Sequence, residues 1–251
     1  MPSMTIVHVH RKNGEFVVLK VVLFDIDGTL MSTDGAGVRA MQRAFEVCTL
    51  IPDAFEGIKM AGKTDPLIIK EAMDKHVIDR LDHVVNNILT HYAQYLKDEL
   101  RVSNNRHLKP GILEFLDFLH VKGIHVGLLT GNIEQGAMLK LVAFGINNYF
   151  PFGGFSSDNE DRNRLLPIAL RKLQSLRGIK ALPDECVVVG DTPRDVICAR
   201  VHGAKALGVA TGSYSCEALS ESGADWVFQD LADTESIWNT IYSTSDDKEE
   251  A

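Results

Sequence analysis

Cysteine is scarce in this chain: Cys48, Cys186, Cys198 and Cys216 are the only four in 251 residues, and none forms a Cys-x-x-Cys pair. That usage suits a reduced compartment, with Cys186 and Cys198 expected to pack as small apolar groups. Long apolar runs are also missing. None approaches the length that spans a bilayer, which excludes a transmembrane helix. His8, His10, Arg11 and Lys12 interrupt the N-terminal residues, so no signal peptide is read there and the expected location is cytoplasmic. Basic charge is in deficit, with 26 Lys and Arg against 34 Asp and Glu and a net charge of −8, which argues against nucleic-acid or anionic-membrane partners. An anionic substrate must then be drawn in by local charge or by a metal. Repeats and low-complexity segments are absent too. What remains is 45% hydrophobic and 24% charged, the balance of a globular chain long enough for one α/β domain with a smaller insertion.

The densest information lies in residues 20–30, Lys-Val-Val-Leu-Phe-Asp-Ile-Asp-Gly-Thr-Leu. Residues 21–24 read as a buried parallel strand. Asp25 and Asp27 follow at its carboxyl end, where open α/β sheets place their ligands. Strand alternation points both carboxylates one way, and two such neighbours call for a cation between them or a shared proton. A hard divalent ion such as Mg²⁺ is the simplest resolution. The same residues also read as a strand ending in an Asp-Gly turn.

Apolar periodicity places an N-terminal hairpin extension at 1–19, with Asn13-Gly14 as its turn and an alternation beginning at Met4. Residues 34–107 read as helical throughout, with Val38, Met41 and Phe45, then Val77, Leu81, Val84, Val85, Ile88, Leu89, Tyr92 and Leu96 at helical spacing. From 108 to 242 strands and helices alternate. A helix opens at Lys109-Pro110-Gly111 with proline near its first position, a strand runs over 124–129 and a helix over 133–143. A short strand at 152–155, a helix at 163–176, a strand at 186–189 and a helix at 194–201 follow, and strands at 206–209 and 226–228 close the series. Such alternation predicts a Rossmann-like α/β core of mostly parallel sheet covered by helices, formed by 20–33 and 108–242. The 34–107 insertion is expected to be an all-helical cap domain, and 243–251 an acidic tail.

Three more segments carry chemistry. Thr130-Gly131-Asn132 ends a strand in a hydroxyl, a glycine and an amide, which can hold phosphoryl oxygens as an anion nest or serve as a Thr cap with a Gly turn. Gly190-Asp191-Thr192-Pro193-Arg194-Asp195 ends another buried strand in two carboxylates. Capping explains one of them; converging on Asp25 and Asp27, both read as metal ligands. Arg162 and Arg164 precede a helix, where they oppose its macrodipole unless an anion compensates them.

These residues in this order resemble the haloacid dehalogenase superfamily, in its phosphatase branch with a helical cap after the first strand. Asp25-Ile26-Asp27-Gly28-Thr29 matches the first motif, Thr130 the second and Gly190 to Asp195 the fourth, and Gly62-Lys63-Thr64-Asp65 resembles a cap loop of phosphoglycolate-phosphatase-like members. The resemblance implies Asp25 as the nucleophile of an aspartyl-phosphate pathway and Asp27 as the acid and base that serves leaving alcohol and water. It implies Thr130 on the phosphoryl oxygens with Gly131 and Asn132 beside it. Asp25, Asp27, Asp191 and Asp195 would gather round Mg²⁺. The implied substrate is a small phosphorylated metabolite, of phosphoglycolate or sugar-phosphate type.

One motif departs from the pattern. The family's third motif supplies a lysine, and none occurs between Lys140 and Lys172. Arg162 is the candidate substitute and Arg164 the second, since a guanidinium neutralises a phosphoryl group and reaches two of its oxygens. Lys63 is the one cap residue nominated for substrate contact, and it reads equally as an exposed helix-start lysine. The alternatives are a phosphosugar mutase of the β-phosphoglucomutase type, against which Thr29 weighs, and an inactive binding homologue, against which the carboxylates weigh.

Overall fold

The central strands are buried along their whole length because both faces of the sheet are covered. In this computed structural model, which describes residues 8–12 and 15–243, strand β1 (His8–Lys12) pairs antiparallel with β2 (Glu15–Val18). The expected turn at Asn13-Gly14, the alternation before His8 and the tail beyond 243 lie outside the described residues. Next come β3 (Val21–Phe24) and β4 (Met31–Ser32), then helices α1 (Ala36–Thr49), α2 (Asp65–Lys75) and α3 (Asp82–Val102). The chain continues through β5 (His107–Leu108), α4 (Ile112–Val121), β6 (His125–Leu129), α5 (Glu134–Ala143), β7 (Gly153–Gly154) and α6 (Leu165–Arg177). It ends with β8 (Cys186–Gly190), α7 (Pro193–Arg200), β9 (Lys205–Val209), α8 (Cys216–Glu221), β10 (Trp226–Phe228) and α9 (Thr234–Ser243).

Six strands form one parallel sheet in the order β10-β9-β8-β3-β6-β7. Val22 and Phe24 face a core shared with Phe115 and Leu119 of α4, Leu141 of α5 and Ile237 of α9. Val21 and Leu23 face the other, with Leu166 and Leu170 of α6 and Val196 of α7. A strand buried on both sides has no polar alternation, which is why β3 reads as a plain apolar run. The chain steps from β3 outward to β6 and β7, then returns to β8 on the opposite side, so the order reverses at β3. At that switch point the carboxyl ends of β3 and β8 open a crevice.

The helices α1 to α3 have an apolar cluster of their own, built on Phe45, Ile69, Met73, Ile88 and Leu96 and joined by Ile133 at the start of α5. The chain enters and leaves this unit through β4 and β5, which pair antiparallel at Met31↔Leu108 and Ser32↔His107.

Several expected bounds move. The helical run expected from Val77 begins at Asp82: Val77 stands at φ 56 and is 94% exposed, in the loop after α2. The helix expected to open at Pro110 starts at Ile112, after Gly111 at φ 77. A Cβ on Gly111 would come within 2.1 Å of the Leu231 backbone, so only glycine lets these chains meet. Helices α8 and α9 were not expected; α9 packs on α4, with Trp238 edge-on to Phe118 at 5.0 Å between ring centroids.

Candidate active site

Asp25 closes β3, its N–H donating to Val189 O of β8 at 3.0 Å, and its carboxylate is buried. The chain then turns through Gly28 at φ 87. Thr29 Oγ1 donates to Asp191 Oδ1 at 2.9 Å, tying the first strand end to the end of β8. Asp191 rests in a notch between two glycines. A Cβ on Gly28 would lie 2.4 Å from Asp191 Oδ2, and one on Gly212 only 1.7 Å.

Asp25, Asp191 and Asp195, all buried, each offer a carboxylate oxygen within 4.8 Å of the others. Burial pushes Asp25 up to about 6, an effect that Arg162 opposes and that Asp195 and Asp27 reinforce. Burial likewise pushes Asp191 up to about 8, with Asp195 and Asp25 adding to it. Carboxylates so crowded and desolvated form a donor set that fits a hard divalent cation, whose charge would return them to their ionised forms. The fit is uneven. Asp195 spends Oδ1 on Arg162 and Oδ2 on the Thr192 N–H and hydroxyl, at 3.0 and 2.7 Å. Read from the sequence as a metal ligand, Asp195 stands in this group and also caps α7 and pairs with Arg162, because its position three residues into the helix turns it back onto the helix start. The Asp27 carboxylate also leaves this group and turns toward Asn132 and Lys140.

Arg162 lies in a single 3₁₀ turn, 162–164, that leads into α6. It is 6% exposed, and its Nη2 reaches Asp25 Oδ1 at 3.0 Å, Asp195 Oδ1 and Leu129 O. Its Nη1 donates to Gly62 O at 3.2 Å, while its Nε–H has no partner among the described residues. Arg164 lies elsewhere. Its side chain is 72% exposed, 3.7 Å from Asp161, and it does not line the crevice. The second-choice cation is thus a solvated residue on the outer side of the turn.

Thr130 is fully buried, and its Oγ1 accepts from the Asn132 amide Nδ2 at 2.9 Å and from Asn132 N–H at 3.3 Å. Gly131 lets the helical unit approach: a Cβ there would lie 2.2 Å from Lys63 O. Asp65 N–H donates to Gly131 O, and Ile133 N–H donates back to Asp65 Oδ2, both at 2.8 Å. The loops 62–65 and 130–133 are thereby stitched together. Lys63 lines the crevice, but its ammonium pairs with Glu71 on the next turns of the helical unit.

The crevice encloses about 310 Å³. Its floor is Asp25, Asp191 and Arg162, and its roof is Val38 and Met41 of α1, Met60, Ile68 of α2 and Tyr92 of α3. Two buried side chains here escaped the sequence reading. Lys140 of α5 is 3% exposed and reaches Asp27 Oδ2 at 2.5 Å and Asn132 Oδ1 at 2.6 Å. Its signal was a lysine among Ile133, Ala137 and Leu141, on the apolar face of a short helix, where a charge is rare unless paired. Asp65 is buried at the start of α2, and burial pushes it up to about 7.

With the geometry in place, known proteins can be set beside it. The model of a family described as haloacid dehalogenase-like hydrolase matches residues 22–209. A phosphoglycolate phosphatase of Rhodospirillum rubrum is 28% identical over 219 residues, 85% of this chain and 88% of that protein. Among solved structures, a hydrolase from Pseudomonas syringae superposes with a TM-score of 0.68 at 24% identity, over 89% of this chain and 99% of that one. A protein from Bacteroides vulgatus assigned as a β-phosphoglucomutase gives 0.64 at 20% identity, over 90% and 89%. These two structural likenesses concern the fold. Among the described residues no helix is long and apolar enough to cross a membrane.

Proposed function

The chain belongs to the haloacid dehalogenase-like hydrolases, and from that membership we propose that it is a Mg²⁺-dependent phosphatase of small phosphate monoesters, working through an aspartyl-phosphate. The observation that carries this reading is the buried Asp25 carboxylate at the end of β3, with Arg162 on one oxygen and Asp191 beside it. A carboxylate so placed is a nucleophile aimed into the crevice, with the positive charge that a phosphoryl group needs already fixed.

In this mechanism Asp25 attacks phosphorus and the ester oxygen departs, taking a proton from Asp27 as the alcohol leaves. Asp27 then withdraws a proton from water, and the resulting hydroxide attacks phosphorus. Phosphate is released and the Asp25 carboxylate returns. Arg162 neutralises the equatorial oxygens while holding Asp25 in line. Asn132 and the loop around Gly131 line the phosphoryl end, with Thr130 buried behind them as the anchor of Asn132. Asp25 and Asp191 would hold the metal, with Asp195 beside them and the backbone around Asp27, and the metal would supply charge neutralisation between carboxylate and phosphate.

The helical unit of 34–107 serves as the cap, its apolar roof meeting the alcohol part of the substrate. A crevice of about 310 Å³ suits a metabolite of a few carbons beyond its phosphate. Phosphoglycolate, named for relatives such as that of Rhodospirillum rubrum, is the first candidate.

The test is phosphate release from p-nitrophenyl phosphate and from a panel of small phosphorylated metabolites, with Mg²⁺ present. Release from p-nitrophenyl phosphate and at least one metabolite is expected. Silence on every ester, from folded protein, would overturn the reading.

A further inference from the structure

We infer that Lys140 is a positioning residue for Asp27, holding one carboxylate oxygen so that the other faces the reacting ester; the inference rests on Asp27 serving as acid and base. Lys140 sits where the packing of α5 would take leucine or methionine. An ammonium buried there is costly unless it is paired, and removing one member of such a pair leaves the other uncompensated. Its partners form a closed triangle. Nζ donates to Asp27 Oδ2 at 2.5 Å and to Asn132 Oδ1 at 2.6 Å, and Asn132 Nδ2 donates to the same Asp27 Oδ2 at 2.8 Å. Both donors act on Oδ2. No hydrogen bond to Oδ1 occurs among the described residues, so Oδ1 is the oxygen left to exchange a proton.

Tethering matters for this carboxylate because it is otherwise loose. The Asp27 side chain is 45% exposed, whereas that of its tether Lys140 is 3% exposed. The two buried cations also divide their work. Arg162 holds Asp25 and Asp195, and Lys140 holds Asp27 and Asn132, both in the lining of the crevice. Nucleophile and proton donor are each held by a separate cation.

A leaving-group comparison separates positioning from mere support of the fold. An alkyl phosphate needs its departing oxygen protonated, whereas p-nitrophenol departs without that help. In Lys140→Met, kcat/KM for an alkyl phosphate that the wild type hydrolyses should fall on the order of 100-fold, the scale of a misplaced catalytic group, and that for p-nitrophenyl phosphate only a few-fold. Asp27→Asn should show the same selective loss, and adding Lys140→Met to it should cost little more. Lys140→Gln keeps a donor and needs no charge partner, and it carries the same comparison if the methionine variant does not fold. Equal losses on both esters, or losses that multiply in the double variant, would overturn the role of Lys140 while leaving the phosphatase intact. A wild type silent on both esters overturns the phosphatase reading itself.

Discussion

Arg162 and Asp25 form a buried ion pair, Nη2 to Oδ1 at 3.0 Å, and the same nitrogen serves Asp195 at the start of α7. One guanidinium thus ties the end of β3 to the helix that follows β8. Removing it strands two carboxylates in a desolvated place. Arg162→Ala should therefore lower stability by about 3–5 kcal/mol, the scale for breaking a buried pair. It should also lower kcat/KM by roughly two to three powers of ten. Arg162→Lys should recover part of each, since a point charge cannot reach both acids. Arg164→Ala should change neither. Chemical denaturation and steady-state kinetics check this, and a severe Arg164→Ala with a mild Arg162→Ala would reverse the assignment.

Asp25→Asn should keep the fold and abolish turnover. Amide and carboxylate have nearly the same shape, so packing survives while the nucleophile is lost. Incubation with labelled substrate should leave no label on the variant. Substantial turnover, with deamidation excluded by mass, would sink the assignment.

Chelation should stop phosphate release, and Mg²⁺ should restore it where Ca²⁺ does not, because Ca²⁺ takes more oxygens in looser geometry. The glycine notch gives a sharper probe. In Gly212→Ala the new methyl would sit 1.7 Å from Asp191 Oδ2, so the carboxylate must shift. The Mg²⁺ concentration for half-maximal activity should rise by about tenfold or more. Superimposable Mg²⁺ titrations would remove Asp191 from the metal site.

Asp65 gives the pH dependence its sign. Burial lifts its carboxyl from 3.8 to about 7; Lys140 and the Ile133 N–H oppose the rise, and Asp27 and Asp25 add to it. The folded chain then holds a proton that the unfolded chain has released, so this group's contribution is full below about pH 4 and is lost as pH climbs toward about 7. Asp65→Asn, whose amide oxygen can still accept from Ile133, loses nothing over that range. Its Tm should gain on the wild type steadily between about pH 4 and pH 7.5. A constant gap across that range would mean that Asp65 is not raised.

The sheet was legible in the sequence because β3, β6 and β8 are buried on both faces and announce themselves as apolar runs ending in polar residues. The places of Asp25 and Asp191 were legible for the same reason, each standing at the end of such a run. Helix α2 was blurred by the lysines, glutamate and aspartates within it, and its bounds came only from tertiary contact. Lys140 lay hidden because its partner Asp27 is 113 residues away, and no local period encodes that meeting. Asp195 was legible as one of the clustered carboxylates, but its second partner, Arg162, is 33 residues away and no local pattern announces that pairing.

The β4–β5 pair has a mechanical consequence. Two separate strings would let the helices wander over the crevice in any direction, but Met31 and Ser32 are hydrogen-bonded to Leu108 and His107 as a ribbon. A ribbon flexes across its face and resists sliding along its length, so any movement of the helical unit over the crevice would be held to one axis. Asp27 is bridged to Met31 at the root of that ribbon. On the proposed mechanism, a shift of the helical unit about this ribbon would therefore also move Asp27, the residue assigned to proton transfer.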